Sequence, residues 1–189
     1  MTEKEIIYEA VQVLQDGGLI IYPTDTIWGL GCDATNSEAV KKVFELKQRA
    51  DSKSLISLVS SDALLNRCVT EVPSIAWDLL DESVDPMTVV YPQARWIASE
   101  AIAEDGSAGI RLVKEGFAHK LVHRLNRPLI STSANISGEP SPRLKEEISS
   151  SLLTGVDYVV NLPGLGGGTG KASSVIKLEL NGEIKILRK

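Results

Sequence analysis

A mixed α/β fold, with a twisted sheet of parallel and antiparallel strands flanked by helices, is predicted by three features of the sequence. Short apolar runs alternate with segments of helical periodicity along the whole chain. The last two runs are joined at Asn181-Gly182, a strong hairpin signal, so the sheet is not purely parallel. No Pro/Gly/Ser-rich linker interrupts the 189 residues, so one domain over 1–189 is expected.

The elements follow in order. Ile6, Ile7, Ala10, Val11 and Leu14 form one apolar stripe, which predicts a helix over 3–15 stopped at Asp16-Gly17-Gly18. A buried strand over 19–22 breaks at Pro23, and extended structure resumes over 27–31. Asn36 caps a second helix whose apolar face is Ala39, Val40, Val43, Phe44 and Leu46. A strand over 54–59 and a helix over 72–80, opened by Pro73, come next. Strands are predicted over 87–91, 108–113, 129–131, 158–161, 173–180 and 184–187, with helices over 96–103, 117–125 and 142–153.

Composition removes several function classes. Twenty Lys+Arg against 25 Asp+Glu give a net charge of -5, which argues against general nucleic-acid affinity while leaving room for a local basic surface. The longest apolar runs, such as 18–22, are far too short to cross a bilayer, and the charged start Met1-Thr2-Glu3-Lys4-Glu5 does not read as a signal peptide. No membrane association is expected. Two isolated cysteines, Cys32 and Cys68, make no disulfide framework and fit a reducing, cytoplasmic setting, with buried thiols as their expected state.

Three apparent motifs fail on inspection. The stretch 165–172, Leu-Gly-Gly-Gly-Thr-Gly-Lys-Ala, lacks the first Gly and the final Ser/Thr of a P-loop. His119 and His123 have the spacing of two metal ligands on one helix face, but no third ligand follows, so surface histidines are expected. Ser131 and Ser133 sit in no Gly-x-Ser-x-Gly elbow.

Four segments remain. Tyr22-Pro23-Thr24-Asp25-Thr26-Ile27-Trp28-Gly29-Leu30 breaks a strand into hydroxyls and a carboxylate, as a plain turn or as the mouth of a ligand crevice. Lys47-Gln48-Arg49 follows a helix, where two cations favour its dipole and also suit a polyphosphate. Ser131-Thr132-Ser133-Ala134-Asn135-Ile136-Ser137-Gly138 offers a dense polar set after a strand, whether to cap a helix or to hold a phosphate or an amino acid. Lys171-Ala172-Ser173-Ser174 leads into a strand, and Arg188 ends the last one. Cations and hydroxyls without an obvious nucleophile point to nucleotide chemistry driven by positioning and charge.

These motifs, in this order, resemble the YrdC/Sua5 family over most of the chain. Gly17-Gly18 followed by PTDTIWGL is similar to its Gly-Gly…Pro-Thr-Asp-Thr-x-Tyr-Gly-Leu signature, with Trp28 in place of Tyr. Lys47-x-Arg49 matches its Lys-x-Arg pair and Ser133-x-Asn135 its Ser-x-Asn pair. Asp85-Pro86-Met87-Thr88 departs from its Pro-Gly-Pro-x-Thr, and Arg111 lacks the usual following proline.

The resemblance implies a YrdC-like domain of the single-domain type, with a concave basic cleft. It implies an L-threonylcarbamoyladenylate synthase, a nucleotidyltransferase joining L-threonine, bicarbonate and ATP for a tRNA modification, t6A at position 37. Lys47, Arg49, Ser133 and Asn135 would be catalytic. Thr24, Thr88, Arg111 and Ser131 would hold threonine. ATP would meet Lys47, Arg49, Lys53, Ser133, Asn135, Ser173 and Arg188. Mg²⁺ would enter on the ATP phosphates, with no metal ligand set of the chain. The tRNA threonylcarbamoyl transferase machinery would be a partner, with tRNA or double-stranded RNA as a further one. The rival readings are an RNA-binding module and a catalytically idle paralogue of the same fold.

Overall fold

The computed structural model describes residues 1–48, 55–162, 168–170 and 172–189. The helices among them are α1 (Glu3–Gln15), α2 (Ser37–Leu46), α3 (Asp62–Cys68), α4 (Ile75–Glu82), α5 (Gly116–Leu125) and α6 (Ser150–Gly155). The strands are β1 (Ile20–Pro23), β2 (Trp28–Asp33), β3 (Ile56–Val59), β4 (Met87–Tyr91), β5 (Ala108–Leu112), β6 (Leu129–Ser133), β7 (Tyr158–Val159), β8 (Ser174–Leu178) and β9 (Ile184–Arg188). They form one sheet in the order β7-β1-β2-β6-β3-β5-β4-β8-β9. The β7/β1, β3/β5 and β4/β8 pairs are parallel and the rest antiparallel, the mixed sheet that the sequence predicts.

Local chemistry sets the element ends. Thr2 and Glu5 close a capping box on α1, and Gly17 leaves the helix at φ +78°, a conformation that L side chains rarely adopt. Asn36 Oδ1 accepts from Ala39 N at 3.1 Å to start α2. Gln48, at φ 51°, ends it in the left-handed region. The hairpin at Asn181-Gly182 joins β8 to β9 through a loop with Gly182 at φ +84°. Both cysteines are buried free thiols, and burial pushes the Cys68 thiol up to about 12. His119 and His123 stack on α5, their ring centroids 5.9 Å apart.

The structure departs from the sequence expectations in five places. Residues 96–103 form a 3-10 turn at Ser99–Ala101 in place of a helix. Ala98 N bonds to Ala34 O and Ala103 N to Ser107 O, so contacts to distant backbone hold both ends of this segment out of a helical ladder. Residues 142–153 are not one helix. Pro142 O accepts from Trp28 N, and Glu147 accepts from Arg143 N and Leu144 N, so the chain is tied down before α6 begins. α3, capped by Ser61, was not anticipated, because seven residues are too few for helical periodicity to stand out. α4 begins after Ser74, so Pro73 precedes the helix rather than opening it. β6 runs on to Ser133, which turns the expected serine loop into strand residues.

That last difference builds the site. Strand alternation sends Leu30, Cys32, Val89, Ile110 and Ile130 to one face, where all are fully buried. It sends Gly29, Gly31, Thr88, Arg111, Ser131 and Ser133 to the other. The registers Gly31↔Ser131, Ser131↔Ile56 and Ile56↔Gly109 set one row across four strands. Leu58↔Arg111 sets the next, and Thr88↔Val175 and Val175↔Arg188 carry that level to the sheet edge.

An exposed ion pair braces the far strands. Asp105 accepts from Ser107 N at 3.0 Å, Ser107 Oγ at 2.6 Å and Lys177 Nζ at 2.7 Å, and the Lys177 ammonium first, then Ser107, holds its carboxyl well below the usual carboxylate range. A depressed folded-state pKa stabilises above the unfolded value and is lost as pH falls toward the folded one. Because the pair is half exposed, solvent screening limits it to below about 1 kcal/mol. Asp105→Asn is expected to lower the urea midpoint at pH 7, with the gap to wild type closing as pH drops below the ordinary aspartate value.

Candidate active site

A cleft of about 240 Å³ opens on the glycine-and-hydroxyl face of the sheet. Its lining includes Thr24, Thr88, Arg111, Ser131, Ser133, Ser173 and Arg188, seven residues that the sequence singled out. Ile27, Leu55, Ile56, Leu58 and Ala172 supply apolar wall. Thr26 and Thr132, from two of the segments that the sequence singled out, also line it, as does Ser141, which was not anticipated. Alternation from Ser133 does not reveal Ser141, which arrives on a loop.

The turn after β1 is held by one hydroxyl. Thr24 Oγ1 accepts from Thr26 N at 3.1 Å and Ile27 N at 3.2 Å and donates to Ile27 O at 2.6 Å. Both readings of the PTDT segment therefore hold at once, a side-chain-closed turn that faces a crevice. Gly168–Gly170 lie on this turn, with Thr169 N donating to Asp25 O and Gly170 N to Thr26 O. A Cβ on Gly168 would stand 2.5 Å from Asp25 O, so only glycine admits that approach. Residues 163–167 and Lys171, which complete the glycine-rich stretch, lie outside the described residues.

Arg111 is buried on β5, and its Nη2 donates to Asp25 Oδ2 while its guanidinium lines the cleft. Asp25 is half exposed and, with Arg111, also lines a second hollow together with Leu80, Pro86 and Lys114. Thr88 Oγ1 and Ser173 Oγ share a buried 2.8 Å hydrogen bond. Arg188 donates from Nε and Nη2 to Ser173 O at 3.0 and 2.7 Å, so it fixes the approach to β8.

Lys47 is placed differently from a simple phosphate contact. It is buried, and Nζ donates to Ser133 O at 2.5 Å and to Asn135 O at 2.7 Å. Ser137 N returns a bond to Lys47 O at 3.0 Å. The lysine therefore clamps the turn that follows β6. Asn135 does not line the main cleft. Its Nδ2 donates to Ile136 O and Glu139 O, and its buried Oδ1 has no partner among the described residues. It faces an adjoining hollow of about 510 Å³ with Arg143 and Ser141, and Ser141 borders both spaces. Arg49 and Lys53 lie outside the described residues.

The Sua5_yciO_yrdC family model, described as "Telomere recombination", matches residues 12–189. The chain belongs to this family. The chain is 35% identical over 168 residues to a threonylcarbamoyl-AMP synthase of Xanthomonas euvesicatoria, covering 85% of this chain and 88% of that one. A protein of the same name from Pseudoalteromonas translucida is 30% identical over 187 residues, 97% and 98% of the two chains. The crystal structure of P. abyssi Sua5 complexed with L-threonine superposes with a TM-score of 0.85 at 29% identity. That match covers 94% of this chain but only 52% of the Sua5 chain, which is the longer protein. The mixed sheet is the fold of this family.

Lys47→Met keeps the length of the side chain but leaves two inward carbonyls without their donor, at a cost of about 2 kcal/mol. Thermal denaturation is expected to show Tm lowered by about 4–8 °C. A lysine serving only a phosphate would leave Tm unchanged.

Proposed function

We propose that this protein condenses L-threonine, bicarbonate or CO₂, and ATP into L-threonylcarbamoyl-adenylate and pyrophosphate. The observation that carries this reading is the convergence of Thr24, Thr88, Arg111, Ser131, Ser133, Ser173 and Arg188 on one cleft of a chain whose 30–35% identical relatives bear that synthase's name. The product would supply the tRNA threonylcarbamoyl transferase machinery. A cytoplasmic setting fits a tRNA-modifying role, and no helix among the described residues is long and apolar enough to cross a membrane.

The chemistry follows from the donors present. The threonine amine adds to CO₂ and loses a proton, giving a carbamate. A carbamate oxygen then attacks the α-phosphorus of ATP, and the bond to the β-phosphate oxygen breaks to release pyrophosphate. Arg111 offers a fork-shaped cation to the threonine carboxylate, the geometry that suits a planar anion. Asp25 holds one edge of that fork and so fixes its plane. The hydroxyls of Ser131, Ser133 and the Thr88–Ser173 pair hold the remaining polar atoms. Apolar walls at Ile27, Ile56 and Leu58 keep water from the short-lived carbamate and strengthen each charge contact.

The cleft, about 240 Å³, is large enough for an amino acid. In this reading the nucleotide reaches across Ser141 into the adjoining hollow, which Asn135 and Arg143 also line. Arg49 and Lys53 would meet the triphosphate, and Arg188 would neutralise charge at the sheet edge. Mg²⁺ would come with the ATP phosphates, whose charge it shields.

Pyrophosphate release with Mg²⁺-ATP is expected to require both L-threonine and bicarbonate and to yield a product with the mass of threonylcarbamoyl-AMP. Release independent of threonine, or none with ATP still bound, would overturn this reading.

A further inference from the structure

Tyr22 is fully buried and enters no step of the reaction as described above. It stands on β1 opposite Gly29 of β2, yet its hydroxyl donates at 2.7 Å to Ser131 Oγ on β6. β2 runs between those strands, so the phenol reaches over an entire strand, roughly 9–10 Å between the outer backbones at two inter-strand spacings.

The crossed strand is bare for this purpose. A Cβ on Gly31 would lie 2.9 Å from Tyr22 Cε1 and 2.5 Å from Ile130 O. A Cβ on Gly29 would meet Tyr22 Cε1 and Ser131 Oγ, each at 3.4 Å. Leu30, between them, points to the opposite face. The pattern Tyr22…Gly29-Leu30-Gly31 thus encodes a slot for one aromatic ring.

The direction of the bond matters more than its existence. The geometry runs it from the Tyr22 hydroxyl to Ser131 Oγ, so the phenol donates and the serine accepts. A serine hydroxyl has one hydrogen and two lone pairs. With a lone pair engaged from behind by Tyr22, Ser131 turns its own hydrogen elsewhere, and Ser131 lines the cleft. A hydroxyl so set is a donor to the ligand and suits an anionic oxygen.

We infer that Tyr22 is a positioning residue for the threonine half of the reaction, orienting Ser131 as a hydrogen-bond donor to a carboxylate or carbamate oxygen. This rests on the reading of the cleft as a threonine site. It makes the bare glycines of β2 part of the substrate specificity, since they admit the ring that orients the serine.

The test is a cycle of Tyr22→Phe, Ser131→Ala and the double variant, assayed by pyrophosphate release with threonine and ATP varied separately. Phenylalanine fills the same slot, and thermal denaturation of each variant checks that the fold is kept. Tyr22→Phe is expected to raise the threonine KM about fivefold, the worth of one neutral hydrogen bond, while leaving the ATP KM in place. In the Ser131→Ala background it is expected to add nothing. An equal effect in both backgrounds, a parallel rise in the ATP KM, or no change in the threonine KM would overturn the inference while wild type stays active. A wild type without threonine-dependent release would overturn the functional reading and this inference together.

Discussion

The buried ammonium of Lys47 is the contact on which the site depends. Its bonds to the carbonyls of Ser133 and Asn135 set where the chain leaves β6, and the return bond from Ser137 closes the turn on the end of α2. A cation in a buried position is costly unless its hydrogens are satisfied. Two backbone carbonyls satisfy two of its hydrogens. The same clamp puts Ser133 in the cleft and Asn135 in the hollow beside it, so the boundary between the two spaces is set by one side chain.

Around that clamp the sheet is stripped of bulk on one face. Gly29 and Gly31 in β2 and Gly109 in β5 leave room where ordinary strands carry side chains, and between them β6 presents Ser131 and Ser133 while β3 presents Ile56 and Leu58. Arg111 then lies in a cleft walled partly by apolar carbon, its charge answered by Asp25 from the rim. Glycine on one face and large apolar residues on the other let a single sheet serve as both core and binding floor.

Most elements were legible because their signals are local: the stripe of α1, the Asn36 cap of α2, the Asn-Gly hairpin. Elements decided by tertiary pairing were not. Ala98 bonds to Ala34 and Ala103 to Ser107, and Pro142 bonds to Trp28, so neither segment keeps the helix that its apolar spacing suggests. Site residues on strands, such as Arg111 and Ser131, were found through their motifs, and the register then explains their meeting. Ser141 carries no local mark, since only the path of its loop brings it to the cleft. The Lys-x-Arg motif pointed to Lys47, but its bonds to two backbone carbonyls across 86 and 88 residues have no counterpart in spacing or composition.

In the proposed reaction Arg111 anchors the amino-acid carboxylate. Isothermal titration of L-threonine into wild type and Arg111→Gln measures it directly. A charged hydrogen-bond pair is worth about 1.5–3 kcal/mol, so the account predicts binding at least about tenfold weaker in the variant, with the fold retained. Equal affinity in the two proteins would contradict it.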